Sequence, residues 1–242
     1  MIELIPAIDI MEGRCVRLSQ GRYDRQRVYP GEPLEVARKF ESLGVRRLHL
    51  VDLDGARAGK VVNLGVLESI AKGTSLRIDF GGGVNSDREI RRVFDAGAEM
   101  VTAGSIAVKD PGLVRDWLHI HGGGRLVLGA DEKNGYIAIR GWQEQTPLEL
   151  FDFIASWKGS GIRKVICTSI SADGMLGGPN LGLYTELTGS FPELQIIASG
   201  GVSGIGDVYD LEKTGVHGVI FGKAFYEGKI TEKEISDYLG KN

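Results

Sequence analysis

Two aspartates end apolar runs that match one another. Ile2-Glu3-Leu4-Ile5-Pro6-Ala7-Ile8 runs into Asp9, and Arg125-Leu126-Val127-Leu128-Gly129-Ala130 runs into Asp131. Each aspartate is followed four residues later by a glycine, Gly13 or Gly135, and then by a short alternating segment. They stand 122 residues apart, half of a 242-residue chain. Opposed carboxylates suit paired acid–base work, in which one holds a proton while the other accepts one. Asp9 and Asp131 are therefore expected to face each other across one active site.

More of the chain repeats at nearly this offset. Phe80-Gly81-Gly82-Gly83-Val84 matches Ala198-Ser199-Gly200-Gly201-Val202, and Gly104-Ser105 matches Gly222-Lys223, both at 118 residues. Asp54-Gly55 matches Asp173-Gly174 at 119 residues. Matches in one order at one spacing point to a duplicated half-unit, about 1–122 and 123–242. A glycine run between a strand end and a helix start exposes backbone N–H groups, and the helix N-terminus favours negative charge. Two such cradles suit a long, doubly phosphorylated ligand with its middle between the aspartates. The sequence has no metal-ligand cluster, nicotinamide fingerprint or P-loop. Cofactor-free proton shuttling on a sugar bisphosphate, an isomerisation, is the simplest chemistry.

These residues need elements to hold them. Eight short apolar strands alternate with eight helical patterns over short connections, which means parallel strands and right-handed crossovers. In this length they close into a single α/β domain, a (β/α)8 TIM barrel spanning 1–242, whose catalytic groups occupy the C-terminal strand ends. The strand-end signals are Asp9, Asp52, Gly81 to Gly83, Gly104-Ser105, Asp131, Thr168, Ser199 to Gly201 and Gly222-Lys223. Helices are expected at Pro33–Phe40, at Leu64–Ala71 capped by Asn63, and after a capping box at Ser86 and Glu89. Others are expected at 111–120, at Leu148–Lys158 behind a Thr146-Pro147-Leu148-Glu149 box, at about 181–187, and after Thr231 with Glu234. The polar stretch from Gly13 to Gly31, with Arg14, Arg17, Arg22, Arg25 and Arg27, reads either as a solvated hairpin or as a mobile lid reaching an anionic substrate.

Composition narrows the class. A net charge of −3 makes no overall bid for nucleic acid or an anionic membrane. No apolar run reaches the ~18 residues of a membrane span, and Glu3 stands where a signal peptide needs basic and apolar residues. Two cysteines, Cys15 and Cys167, point to reduced thiols in the cytoplasm.

The chain resembles, over essentially its whole length, the phosphoribosylformimino-5-aminoimidazole carboxamide ribotide isomerases of histidine biosynthesis. The resemblance rests on Pro6-Ala7-Ile8-Asp9, Arg17-Leu18-Ser19-Gln20-Gly21, His49-Leu50-Val51-Asp52-Leu53-Asp54-Gly55-Ala56, Gly81-Gly82-Gly83-Val84, Gly141-Trp142 and Asp173-Gly174-Met175-Leu176. The sister cyclase usually carries Cys-Leu-Asp where Ala7-Ile8-Asp9 stands, and lacks the Val51-to-Gly55 pattern. The resemblance implies an Amadori rearrangement of an aminoaldose to an aminoketose by a monomer without a cofactor. It implies Asp9 as base and Asp131 as acid, with Thr168 either assisting Asp131 or hydrogen-bonding the ring oxygen. It also implies substrate contacts from Arg17, Gly21, Asp52, Gly82, Gly83, Gly104, Ser105, Trp142, Asp173, Gly200, Gly201, Gly222 and Lys223. Trp142 is expected to stack on the imidazole, Asp52 to orient its neighbours, and His49 to be a hydrogen-bonded core histidine. Asp79 and Asn85 stand where the family often has Gln and Arg, and Lys223 where Arg is frequent, which bears on how phosphate charge is balanced. Rival readings are an isomerase that also takes phosphoribosyl anthranilate, and a catalytically silent barrel that binds sugar phosphates.

Overall fold

The computed structural model describes residues 1–19 and 22–240. The first half runs β1 (Glu3–Met11), β2 (Arg14–Ser19), β3 (Arg22–Val28), α1 (Pro33–Ser42), β4 (Arg47–Asp52), α2 (Leu53–Ala58), α3 (Leu64–Gly73), β5 (Arg77–Gly81), α4 (Asp87–Asp95), β6 (Met100–Ala103), α5 (Ser105–Lys109) and α6 (Pro111–His121). The second runs β7 (Leu126–Lys133), β8 (Tyr136–Ile139), β9 (Glu144–Glu149), α7 (Leu150–Ala155), β10 (Lys164–Ser169), α8 (Leu181–Ser190), β11 (Gln195–Ser199), α9 (Ile205–Lys213), β12 (Gly218–Phe221), α10 (Lys223–Tyr226) and α11 (Glu232–Leu239).

Eight of these strands pair in parallel in the order β1, β4, β5, β6, β7, β10, β11, β12, and β12 pairs back onto β1. The sheet is therefore a closed barrel with helices between its strands, the (β/α)8 architecture. In each half the first strand continues into an antiparallel extension: β1 into β2 and β3, β7 into β8 and β9.

Strand parity separates two cores. Along β1, Leu4, Ile8 and Ile10 pack outward against the helices, while Ile5 and Ala7 join Met100, Val127, Ile166, Ile197 and Ile220 inside the barrel. Along β7, Leu126, Leu128 and Ala130 pack outward and Val127 inward. Side chains alternate faces with a period of two, so Asp9 and Asp131 inherit the inward face. The outer shell contains the fully buried Phe40, Trp117, Trp157, Tyr184 and Tyr238. Truncating one of its leucines, such as Leu67, to alanine is expected to cost about 2–5 kcal/mol.

Three local expectations are corrected. Thr146-Pro147-Leu148-Glu149 does not start a helix: Thr146 lies in β9, donates to the Ile137 carbonyl at 2.9 Å, and α7 begins only after Glu149. Pairing with β8 outweighs the local capping signal there. Asn63 precedes α3 but does not cap it: its side-chain oxygen accepts from the Gly13 N–H at 3.1 Å, and its NH2 group donates to Asp52 at 2.7 Å and to Asp54 at 2.9 Å. Ser86 caps α4 through the Glu89 N–H, whereas the Glu89 carboxylate instead accepts from Val61 N, leaving the box half made. Thr231 and Glu234 form the full box expected of them. Eleven helices are present among the described residues rather than eight, because short α2, α5 and α10 start directly at the C-terminal ends of barrel strands.

Candidate active site

The C-terminal end of the barrel opens into a cavity of about 350 Å³. Asp9 and Asp131 both line it, from β1 and β7, which lie diametrically opposite in the ring of eight. Arg17, Gly82, Gly83, Gly104, Ser105, Trp142, Thr168 and Asp173 line the same space, as does Ser199.

The two aspartates sit in unlike surroundings. Asp9 accepts from Arg17 Nη1 at 2.8 Å, and the other Arg17 nitrogen, Nη2, reaches Asp173 at 3.1 Å. Burial works against the Arg17 charge, but Asp9 and Asp173 outweigh it and raise its pKa. Arg17 Nε is buried without a hydrogen-bond partner, an unspent donor at the mouth. Burial raises the pKa of Asp173, with Arg17 opposing. Asp131 has neutral neighbours instead: Trp142 and Thr168 line the cavity beside it, Thr168 directly opposite it in register. Burial raises its pKa, and Trp142, Thr168 and His49 offset only part of the rise. A desolvated carboxyl opposite an ion-paired carboxylate is the arrangement that separates an acid from a base.

Local backbone brings these groups in. Thr168 faces Asp131 because β10 and β7 pair at those two residues, in register. Trp142 sits on the β8–β9 turn, where Arg140, Gly141 and Trp142 hold φ of 58°, 62° and 69° in succession. Two of these are non-glycine residues in the left-handed region, which costs of order 1 kcal/mol or more each. Arg17 sits on β2 beside β1, and β2 pairs with β3 in an antiparallel ribbon in which Cys15, Val16 and Leu18 are buried. Its far strand is docked: Arg27 and Tyr29 both contact Glu227, and Tyr29 stacks on Tyr226 at 4.5 Å between ring centroids.

The glycine pairs repeat in geometry. Gly82 and Gly83 have φ of +100° and +80°, and Gly200 and Gly201 have +92° and +90°. A side chain on Gly82 would strike the Asp52 backbone, and one on Gly200 the Ser169 carbonyl, so both pairs need the missing Cβ. Gly104 and Gly222 occupy the N-cap positions of α5 and α10.

Several expected site residues lie elsewhere. Asp52 does not line the cavity. It pairs in register with Ile10, on the outward parity of its strand, and it is fully buried. Its carboxylate accepts from the N–H groups of Gly55, Val62 and Asn63 at 2.7–2.8 Å, tying down the loop beside Gly82. Gly200, Gly201, Gly222 and Lys223 are also outside the lining. Lys223 Nζ donates to the Gly174 carbonyl at 2.6 Å, and the Arg17 guanidinium lies over Gly222, where a Cβ would come within 2.9 Å of it. The second cradle is thus covered by Arg17 and the Asp173–Gly174 turn. Gly21 lies outside the described residues.

Other contributors were missed. Arg57, Lys109 and Arg140 line the cavity on the side of the first glycine pair. His49 and Thr102 line its floor, both hydrogen-bonded to buried Asp79. The His49 expectation holds in its hydrogen bond, yet the residue also reaches the cavity. Inward parity along β4 and β5 was a legible signal for it. Asp79 points into the barrel, where Arg47 pairs with it at 3.0 Å, so its charge is balanced away from any phosphate. Asn85 lines the cavity and donates to the Gly59 carbonyl at 2.9 Å. Among the described residues no three His, Cys, Asp or Glu side chains converge as metal ligands, and no helix is long and apolar enough to cross a membrane.

Comparison with known proteins agrees with this architecture. A relative from Bacteroides thetaiotaomicron is 56% identical over 239 residues, covering 99% of this chain and 100% of its own. One from Bacteroides fragilis is 54% identical over the same coverage, and one from Cytophaga hutchinsonii is 48% identical over 98% of this chain and 99% of its own. All three bear the name 1-(5-phosphoribosyl)-5-((5-phosphoribosylamino)methylideneamino) imidazole-4-carboxamide isomerase. The family described as histidine biosynthesis protein matches residues 3–231. With nearly its whole length matched, the chain belongs to the histidine biosynthesis protein family.

Proposed function

We propose that this protein is an aldose–ketose isomerase of histidine biosynthesis, acting on the bisphosphorylated ribotide named by its relatives. The observation that carries the reading is the pair of opposed aspartates, Asp9 ion-paired and Asp131 desolvated, in one cavity.

The reaction is an Amadori rearrangement. Asp131, whose pKa burial raises, donates a proton to the ribose ring oxygen as the C1′–O bond breaks, leaving a ring-opened Schiff base. Asp9 removes the C2′ proton, and the electron pair moves to the nitrogen to give an enolamine. Return of a proton to C1′, with loss of the hydroxyl proton at C2′, yields the ketose; no atom is gained or lost overall. Thr168 supports Asp131 through its hydrogen bond. Trp142 brings an aromatic face beside the same carboxyl for the imidazole to stack on. One phosphate binds at Gly82, Gly83, Gly104 and Ser105, where Lys109 and Arg140 supply positive charge. The other binds at Gly200, Gly201, Gly222 and Lys223 once Arg17 and the Asp173 turn give way. One chain supplies every group in this scheme, which supports a working monomer, and two buried, unpaired cysteines suit a cytoplasmic setting.

The test is turnover of the aminoaldose by the purified chain without added metal or nucleotide, with phosphoribosyl anthranilate assayed beside it. Conversion to the aminoketose is expected. Ligand affinity with no turnover of either compound would sink the assignment and favour a silent binding barrel.

A further inference from the structure

Beneath the cavity floor runs a polar chain that the reaction scheme leaves unused. Glu3 at the bottom of the barrel pairs with Arg47 at 3.3 Å, and Arg47 pairs with Asp79 at 3.0 Å. Asp79 in turn accepts from the Thr102 hydroxyl at 2.5 Å and lies 3.2 Å from His49 Nδ1. β4 and β5 pair His49 with Asp79 in register, both on the inward parity. Asp79 is fully buried, while the His49 side chain keeps 12% exposure and reaches the cavity.

We propose that Asp79 is a positioning residue: it holds His49 in the Nδ1–H tautomer, so that Nε2 meets the bound sugar as a hydrogen-bond acceptor. This rests on the isomerase reading for its substrate, but the tautomer itself does not. A carboxylate oxygen only accepts hydrogen bonds, so the facing Nδ1 must carry the hydrogen, and the neutral ring then has its lone pair on Nε2. Burial opposes the Asp79 charge, but His49, Arg47 and Thr102 together hold it well below the usual carboxylate range. Arg47, ion-paired to Asp79 at 3.0 Å, places a permanent cation beside this carboxylate. A leucine at position 79 removes that acceptor. Arg47 and His49 Nδ1 share Asp79 Oδ2, and Thr102 donates to Oδ1, so without the carboxylate nothing holds the ring hydrogen on Nδ1 and Nε2 can carry it.

Long-range proton–nitrogen correlation spectra of the 15N-labelled protein read this directly, with His49 assigned among four histidines by His49→Gln. At a pH where the ring is neutral, the parent is expected to show protonated Nδ1 and bare Nε2, and folded Asp79→Leu to lose that preference and carry hydrogen on Nε2. A parent spectrum with Nε2–H overturns the proposal whether or not any variant folds. In the assay, Asp79→Leu is expected to lower kcat/KM by about tenfold, the scale of one lost hydrogen bond. A hydrogen on Nε2 with kcat/KM within about twofold of the parent would overturn the positioning role. Should Asp79→Leu fail to fold, His49→Gln, whose amide oxygen can accept near the Nε2 position, is expected to retain about tenfold more kcat/KM than His49→Leu; equal losses overturn it. A parent chain inactive on the aminoaldose would defeat the isomerase reading and the sugar contact with it, while the spectrum separately decides whether Asp79 sets the tautomer.

Discussion

The two halves of this barrel share a backbone plan and differ in what they do with it. Each begins with a strand ending in an inward aspartate and continuing into an antiparallel extension. Each has a glycine pair in the left-handed region and a glycine before a short helix. Asp9, however, carries an ion pair to Arg17 on its own extension, while Asp131 takes neutral hydrogen bonds from Trp142 and Thr168. The first glycine pair opens into the cavity, and the second lies beneath Arg17 and the Asp173–Gly174 turn. Matching strands place two identical groups, and the segments that follow give them unlike partners. Paired acid–base work uses such unlike settings.

The strongest test of the comparison removes each aspartate in turn. Asp9→Asn and Asp131→Asn are each expected to lower kcat by about 10²–10⁴-fold with substrate binding retained, read by single-turnover kinetics and equilibrium binding. Activity of either variant within tenfold of the parent would show that the halves do not share the work. Next in size, Arg17→Met leaves Asp9 and Asp173 without their common cation. Loss of kcat/KM by about 10–100-fold is expected, with destabilisation of about 3 kcal/mol because buried Asp173 and part-buried Asp9 lose their partner. An unchanged denaturation midpoint would mean that this ion pair contributes nothing to the fold.

Lys223→Ala bears on the covered half. It is expected to raise KM about tenfold with kcat nearly unchanged, since a phosphate contact is made equally in ground and transition states. A loss confined to kcat would place Lys223 in the chemistry instead. Smallest is Thr168→Val, which removes a hydrogen bond that lowers the Asp131 pKa. The raised pKa then rises further, so the protonated acid persists to higher pH. The alkaline limb of the kcat/KM profile moves upward, with a rate loss below about tenfold. Movement of that limb to lower pH would break the assignment of Asp131 as the acid. The stability sign agrees: the buried neutral form is favoured at low pH, and its contribution is lost as pH rises through the folded-state pKa.

Much of this site was legible along the chain, and its failures share a cause. Alternation of apolar residues into Asp9 and Asp131, the repeated glycine runs and the eightfold rhythm are local patterns, and each survives in the structure. Asp52 fits its expected orienting role, but ending an apolar strand did not turn it to the cavity. One residue of register turned it outward, where it binds loop N–H groups instead of facing the cavity. The capping signal at Thr146 was overridden by strand pairing with β8, a contact that local propensity does not contain.

The sequence by itself determined the barrel, the paired aspartates and the glycine cradles, because strand parity, helix signals and left-handed glycine positions depend on near neighbours in the chain. Only the tertiary structure decided which aspartate carries an ion pair, which cradle is covered, and that Asp79 faces His49. Arg17 reaches Asp173 across 156 positions. Such charges and burials are set by residues far apart in sequence, whose approach exists only after the barrel has closed.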